Sequence, residues 1–192
     1  MYTKLLQDVR LPRLLLRIDG DIAEKARAEG CLRCDGVLHS AGYSRKPRGA
    51  QCMLPDGYER RFSFCCARDG CRRRTTPASV RYLGRRVYLS AVVVVASALQ
   101  GGITPVRAAK LRELFGASLQ TLERWRVWWM DAFLESDFWN EARADFARPL
   151  EDDLPSMLLA RFVGAAEEKL LALLRFLEPL TTPAGYVPDR RD

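Results

Sequence analysis

The chain has 192 residues, of which 48% are hydrophobic and 29% are charged, and its formal net charge is +7. This composition is typical of folded globular proteins and excludes fibrous and intrinsically disordered classes. The positive charge is unevenly distributed, since residues 1–128 carry 24 Lys or Arg and 11 Asp or Glu, whereas residues 129–192 carry 7 and 13. A basic segment of this kind favours polyanions, above all nucleic acid. We expect the acidic C-terminal part not to contact such a partner.

Residues 1–29 predict an N-terminal helical segment, with a helix through residues 22–28 that ends at Gly30. The apolar run 14–16 is too short for the hydrophobic part of a signal peptide. A second apolar run, 87–99, has 13 residues, whereas a bilayer span requires about 20. We therefore expect no membrane partner and a cytoplasmic location, where clustered cysteines bind metal rather than form disulfides.

Four of the six cysteines form two close pairs. Cys31 and Cys34 enclose two residues, and Cys66 and Cys71 enclose four. Each pair can present two thiolates to one ion, and Zn²⁺ takes four such ligands at tetrahedral corners. We therefore predict that these four cysteines hold one structural zinc ion in a zinc ribbon over residues 30–76. Because four sulfurs leave no position for a reactive water, this zinc would have no catalytic role.

The second pair has an alternative ligand, because Cys65 directly precedes Cys66. We favour Cys66, since strand alternation places it on the same face as Phe64. Cys52 is expected to be a free thiol, and His39, the single histidine, belongs to neither pair. Six unrelated cysteines remain the alternative to a metal site.

Three helices are predicted in residues 77–140. The first covers residues 85–100, although a buried strand is an alternative for its four consecutive valines. The second begins with Pro105 at its first position and ends at Gly116. Ser118 caps the third, whose buried stripe is Leu122, Trp125 and Trp129. The order helix, turn, helix predicts a trihelical helix-turn-helix domain, and the fold class is mainly α with a small β zinc ribbon.

The rest of the chain divides into an acidic linker (141–154), a C-terminal amphipathic helix (155–179) and a tail (180–192). The apolar positions of this helix are spaced alternately by four and three residues, as in helices that pack along a partner helix. They are Leu159, Val163, Ala166, Leu170, Leu173 and Leu177. A homodimer contact and packing onto the chain's own helices both fit this spacing.

The candidate DNA-binding residues lie in basic loops of the ribbon, on the second helix and at the exposed start of the third. They are Arg45, Lys46, Arg48, Arg72, Arg73, Arg74, Arg107, Lys110, Gln120, Thr121 and Arg124. Basic loops suit phosphates, as would the pair Arg60 and Arg61, whereas Gln and Arg on a recognition helix can pair with adenine and guanine. The alternative is that these are ordinary exposed side chains. The four tryptophans are expected in the core or at an interface.

The cysteine pair CLRC, the stretch RFSFCCARDGCRRRT and the segment GITPVRAAKLRELFGASLQTLERW together resemble the N-terminal zinc ribbon and helix-turn-helix of bacterial insertion-sequence transposases. The resemblance covers about residues 31–130. It implies that the four cysteines bind zinc and that the helices bind the terminal DNA of a mobile element. Since the catalytic domain of such transposases has no room after Trp139, it implies a partner of a separately encoded transposase or integrase, or a regulator derived from a mobile element.

These inferences predict a zinc-dependent, nucleoid-associated protein that binds double-stranded DNA. We expect it not to be an enzyme, because the sequence has one histidine and no recognisable catalytic motif. Two other hypotheses remain. One is a zinc-stabilised adaptor that recruits a protein through its C-terminal helix, and the other is a protein that binds single-stranded nucleic acid or RNA through the ribbon.

Overall fold

A computed structural model describes residues 1–83, 88–99, 104–146 and 154–182, apart from the side chains of Arg107 and Asp145. About half of the chain is helical, and a small antiparallel sheet lies beside a cluster of cysteines. None of the helices in these ranges has the length and apolar composition that a bilayer crossing requires.

The N-terminal segment is more helical than the sequence predicted. It contains α1 (Tyr2–Leu5) and α2 (Arg10–Glu29), and α2 ends at Gly30, which has a φ of 80°. Leu11, Leu15 and Ile18 are buried at spacings of four and three residues, which places them on one face of α2. This face packs into the main hydrophobic core together with the helices of the second half of the chain.

Two small antiparallel sheets lie in residues 30–76, the segment predicted as a zinc ribbon and called the ribbon below. Their strands are β1 (Leu38–Ser40), β2 (Tyr43–Ser44), β3 (Arg60–Arg61), β4 (Phe64–Cys66) and β5 (Arg74–Thr75). The first sheet has the order β1-β4-β5, and the second pairs β2 with β3. The side chains of Phe64 and Cys66 are buried while Cys65 between them is partly exposed, so the two faces of β4 are clearly distinct.

The three predicted central helices are present as α3 (Ser90–Ala98), α4 (Pro105–Phe115) and α5 (Leu119–Val127). Their signals are confirmed: Pro105 is the first residue of α4, Gly116 follows it with a φ of 61°, and the Ser118 hydroxyl accepts a hydrogen bond from the Thr121 N–H at 3.1 Å. α3 is a helix rather than a strand and is shorter than predicted. Residues 84–87 and 100–103, including the two glycines after it, lie outside the described residues.

An aromatic cluster follows α5. The chain continues from α5 into a π-helical turn (Trp128–Ala132), and then into α6 (Asp137–Ala142) and a 3-10 turn (Arg143–Asp145). The rings of Trp129 and Phe133 are fully buried with centroids 4.9 Å apart. All four tryptophans are at most 4% exposed, which confirms that they belong to the core.

The single helix predicted over residues 155–179 is wrong, because the structure has α7 (Ser156–Arg161), α8 (Ala166–Phe176) and a final 3-10 turn (Glu178–Thr181). Gly164 interrupts the helix with a φ of 110°, and the Glu168 carboxylate accepts from the Ala165 N–H at 2.6 Å, which starts α8. Val163 is 93% exposed. The four leucines of the predicted seam are buried in the main core, which supports packing within the chain. Residues 147–153 and 183–192, in the predicted linker and tail, lie outside the described residues.

A buried ionic network joins distant segments of the fold, and the sequence analysis missed it. Asp19 of α2 accepts from the Arg81 guanidinium at 2.7 Å, and both side chains are 0% exposed. Arg81 also donates to the Tyr58 carbonyl at 2.5 Å in the ribbon. The neighbouring Ser79 N–H donates to the Thr181 hydroxyl at 2.8 Å. The network therefore connects α2, the ribbon, the segment before α3 and the C-terminal turn.

Candidate metal centre and basic surface

The four predicted ligands lie together. The sulfur atoms of Cys31, Cys34, Cys66 and Cys71 are all within 4.8 Å of one another. Sγ of Cys31 is 3.7 Å from that of Cys71, and Sγ of Cys34 is 3.5 Å from that of Cys66. All six cysteines of the chain are free thiols. The predicted set is confirmed as a cluster that could hold a metal ion.

The choice between the two adjacent cysteines follows from the strand. Cys66 is 0% exposed and faces the cluster. Cys65 lies on the opposite face of β4, beside His39 of β1 in the strand register, and its thiol donates to the Arg72 carbonyl at 3.3 Å. Neither Cys65 nor His39 belongs to the cluster. The reasoning from strand alternation is therefore confirmed.

The two cysteine loops share one backbone geometry. The Cys31 carbonyl accepts from the N–H groups of Cys34 and Asp35 at 3.1 and 2.8 Å, and the Arg68 carbonyl accepts from those of Cys71 and Arg72 at 3.1 and 3.3 Å. The residue after the second cysteine has a positive φ in both loops, 55° at Asp35 and 45° at Arg72. The wider second loop therefore completes its turn from Arg68 instead of from the first cysteine. This explains how a gap of four residues closes the same cluster.

Gly36 lets the backbone pass close to the sulfurs. A Cβ atom at this position would lie 3.0 Å from Sγ of Cys66 and 3.3 Å from Sγ of Cys34. The Gly36 carbonyl also accepts from the Cys31 N–H at 3.0 Å. Gly36 is therefore required by the geometry of the cluster. It was not among the predicted site residues, although its place two residues after Cys34 indicates a tight loop.

The pKa values of two of the thiols, Cys31 and Cys66, are shifted in opposite directions. The backbone N–H of Arg33 donates to Cys31 and, with the neighbouring thiols, lowers its pKa to about 7. The N–H of Arg68 donates to Cys66 in the same way, but burial and the three neighbouring sulfurs outweigh it and raise the Cys66 pKa to about 12. A cation among the sulfurs would stabilise the thiolates and displace their protons.

Most of the predicted DNA-binding side chains are exposed. The exposed ones are Lys46, Arg48, Arg72, Arg73, Arg74, Lys110, Gln120 and Arg124. Arg45 is half-buried, with its guanidinium 5.5 Å from the centre of the Tyr82 ring. Arg107 lies on α4, but its side chain is outside the described part of the structure.

Two basic or polar positions are corrections. Thr121 is only 8% exposed, because it lies four residues before Trp125 on the buried face of α5. Its hydroxyl lies 3.0 Å from the Ser118 hydroxyl at the start of that helix. It therefore cannot face a base as predicted. Arg61 is 3% exposed and donates to the carbonyls of Pro77 and Ala78 inside the fold, so it is not a phosphate contact. Its neighbour Arg60 is exposed, as strand alternation requires.

Two long-range hydrogen bonds that hold α4 and the turn after it were not expected from the sequence. The Gln51 side-chain amide donates to the carbonyl of Leu114 near the end of α4. The Tyr88 hydroxyl donates to the Gly116 carbonyl at 3.1 Å, in the turn between α4 and α5. These contacts connect residues 28 to 63 positions apart, so no local sequence pattern indicates them.

No protein-family model, curated protein or solved structure matches this chain. The features that bear on its function are the geometry of the cysteine cluster and the exposed basic surface.

Proposed function

We propose that this chain is a zinc-dependent protein that binds double-stranded DNA. The observation that supports this most is a four-sulfur cluster within a ribbon that contacts the end of α4 through Gln51. Lys110 on α4 and Gln120 and Arg124 on α5 are exposed. A metal-stabilised basic ribbon joined to two helices across a short turn suits a duplex better than any other partner class.

The donor set favours zinc. Four thiolates are soft ligands, which Zn²⁺ and iron–sulfur clusters accept and hard cations such as Mg²⁺ do not. With Zn–S bonds of about 2.3 Å, the edge of a tetrahedron of sulfurs is about 3.8 Å. Two of the sulfur pairs, at 3.5 and 3.7 Å, approach this value. Zinc held by Cys31, Cys34, Cys66 and Cys71 would stabilise the ribbon and leave no open position for catalysis.

The proposed reading surface is the first two turns of α5. Leu122 and Trp125 bury one side of this helix, while Gln120 and Arg124, four residues apart, are exposed on one face. Gln can form two hydrogen bonds with adenine, and Arg can do so with guanine, in the major groove. Lys110 on α4, and Arg107 by its position in that helix, would then contact phosphates.

The two other hypotheses find less support. The seam leucines that an adaptor would present are buried in the main core. Among the ribbon aromatics, Phe64 is 6% exposed and Phe62 is partly buried against Arg81 at 5.4 Å, so they are poorly placed to stack on single-stranded bases. We also propose, from the sequence resemblance alone, that the bound DNA belongs to a mobile element and that a separately encoded transposase or integrase is the partner.

Selection of zinc-loaded protein against random-sequence duplexes tests the function. At about 150 mM salt, we expect enrichment of one motif, followed by a mobility shift of that duplex that exceeds the shift of a scrambled one. Removal of zinc with a chelator should abolish the shift, and adding Zn²⁺ back should restore it. Absence of any enriched motif, or equal binding by the chelated protein, would count against the proposal.

A further inference from the structure

The long insert between the cysteine pairs lies directly on α3. Gly49 has a φ of 82°, and a Cβ atom there would lie 2.8 Å from Cγ1 of Val92 and 3.3 Å from the Tyr88 ring. The Arg48 carbonyl, one residue earlier, accepts from the Leu89 N–H at 3.2 Å. The backbone of the insert therefore touches the helical unit at a place where no side chain fits.

A further contact binds the insert to α4, because the Gln51 side-chain amide donates to the Leu114 carbonyl at the end of that helix. Tyr88, which lies outside the insert but beside Gly49, extends this contact to the turn and to α5. Its hydroxyl donates to the Gly116 carbonyl at 3.1 Å, and its ring packs edge-on against Trp125 with centroids 4.9 Å apart. The insert thus touches α3 and α4 directly and reaches α5 through Tyr88.

Two exposed cations immediately precede this anchor. Lys46 and Arg48 are both exposed, while Arg45 packs over the Tyr82 ring. A cation on an anchored loop loses less conformational freedom when it binds a phosphate than one on a free loop. Phosphate contacts of this kind fix the register of a protein on the duplex.

We propose that residues 45–48 and the first turns of α5 form one continuous DNA-binding surface. In it, Lys46 and Arg48 bind backbone phosphates beside the base pairs that Gln120 and Arg124 contact, and Gly49 is a positioning residue that holds the loop against α3. This inference rests on the proposed function and adds to it a defined phosphate-binding loop.

The salt dependence of binding to a fluorescein-labelled mixed-sequence duplex tests the inference. Log affinity falls linearly with log salt, and the magnitude of this slope, called the slope below, decreases by about 0.9 for each phosphate that the protein no longer neutralises. The double variant Lys46→Ala and Arg48→Ala should therefore lower the slope by about 1.8. The control is the double variant Arg143→Ala and Arg175→Ala, at two exposed arginines of the acidic C-terminal part. It removes the same charge and should leave the slope unchanged.

Gly49→Ala separates positioning from charge. It should lower the slope toward that of the double variant although it removes no cation, and adding it to the double variant should change nothing further. Gly57→Ala is the matched control, because Gly57 lies in the same insert with a φ of 75° but has nothing within 4 Å of its Cβ position. Gln51→Ala, which removes the hydrogen bond from the insert to the Leu114 carbonyl, replaces Gly49→Ala if that variant does not retain metal.

Each outcome decides a separate question. A normal slope in both Gly49→Ala and Gln51→Ala, or a further fall when Gly49→Ala is added to the double variant, would overturn the positioning role. Binding whose slope does not depend on Lys46 and Arg48 would overturn the inference but leave the proposed function intact. Failure of the unmodified protein to bind any duplex would reject both.

Discussion

At the scale of single residues, the cysteine cluster depends on which face of β4 each side chain occupies. Cys66 shares its face with Phe64. Cys65 lies on the other face, where its thiol donates a hydrogen bond to the Arg72 carbonyl. The side chains of a strand cannot exchange faces without a shift of register. Cys65 therefore cannot take the place of Cys66 while β4 stays paired with β1.

The first prediction concerns these two neighbours. We expect Cys66→Ser to lose tightly bound metal, because it removes one of four ligands, and Cys65→Ser to retain one equivalent. The metal content of the purified variants, measured by inductively coupled plasma mass spectrometry, checks this. Retention of a full equivalent by Cys66→Ser, or its loss from Cys65→Ser, would contradict the assignment.

Residues with strong local signals were predictable from the sequence. The four ligands, Pro105, Gly116 and Ser118 all follow from spacing or from backbone preferences within a few residues. Thr121 was also predictable, because it lies four residues before Trp125 and seven before Trp128 and therefore shares their buried face. The expectation that it is exposed was wrong.

At the scale of elements, α5 has one buried side and one exposed side. Leu122 and Trp125 fix it in the core, and its opposite side exposes Gln120, Glu123, Arg124 and Arg126. The Arg126 side chain lies 3.6 Å from the Glu123 carboxylate. Arg124 instead donates to the Thr121 hydroxyl at 3.4 Å, near the N-terminal end of the helix that would enter the groove.

The second prediction compares these two arginines. We expect Arg124→Ala to weaken binding to the selected duplex by about 1 to 3 kcal/mol at one base-pair position. Arg126→Ala should weaken binding by a smaller amount that is the same for all sequences. Mobility shifts on a panel of single-base variants measure both effects. Similar, sequence-independent losses in the two variants would favour binding through the ribbon alone.

The C-terminal helices illustrate why the other elements could not be derived from spacing. The apolar seam continues in step through Val163 and Gly164, so periodicity alone predicts an unbroken helix. The φ of 110° at Gly164 and the cap from Glu168 interrupt it. The cap is a local contact over three residues, but the N-cap is Ala165 rather than the Ser or Thr of the usual capping box, so the sequence carries only half of that signal.

At the scale of the whole molecule, the network around Asp19 and Arg81 connects segments that are distant in the sequence. Charged residues are rarely buried, so neither residue was expected in the core from the sequence. Each is buried only because the other, together with backbone groups of distant segments, satisfies it. Such a pair cannot be recognised before the tertiary structure is known.

The third prediction tests this pair. Asp19→Asn leaves the Arg81 charge buried without a counter-charge, and we expect it to lower the free energy of unfolding by about 3 to 5 kcal/mol. Asp21→Asn, at an exposed position of the same helix, should change it by less than about 0.5 kcal/mol. Urea denaturation of the zinc-loaded proteins measures both. Equal stability of the two variants would show that the network contributes little.

The Asp19 network also has a consequence for the order in which the chain acquires its structure during synthesis. Asp19 meets residues 60 to 62 positions later, and Ser79 meets a partner 102 positions later, at Thr181. Synthesis proceeds from the N-terminus, so Leu11, Leu15 and Ile18 leave the ribosome long before the C-terminal turn that completes their core. The core around the apolar face of α2 therefore stays incomplete until the last part of the chain has been synthesised.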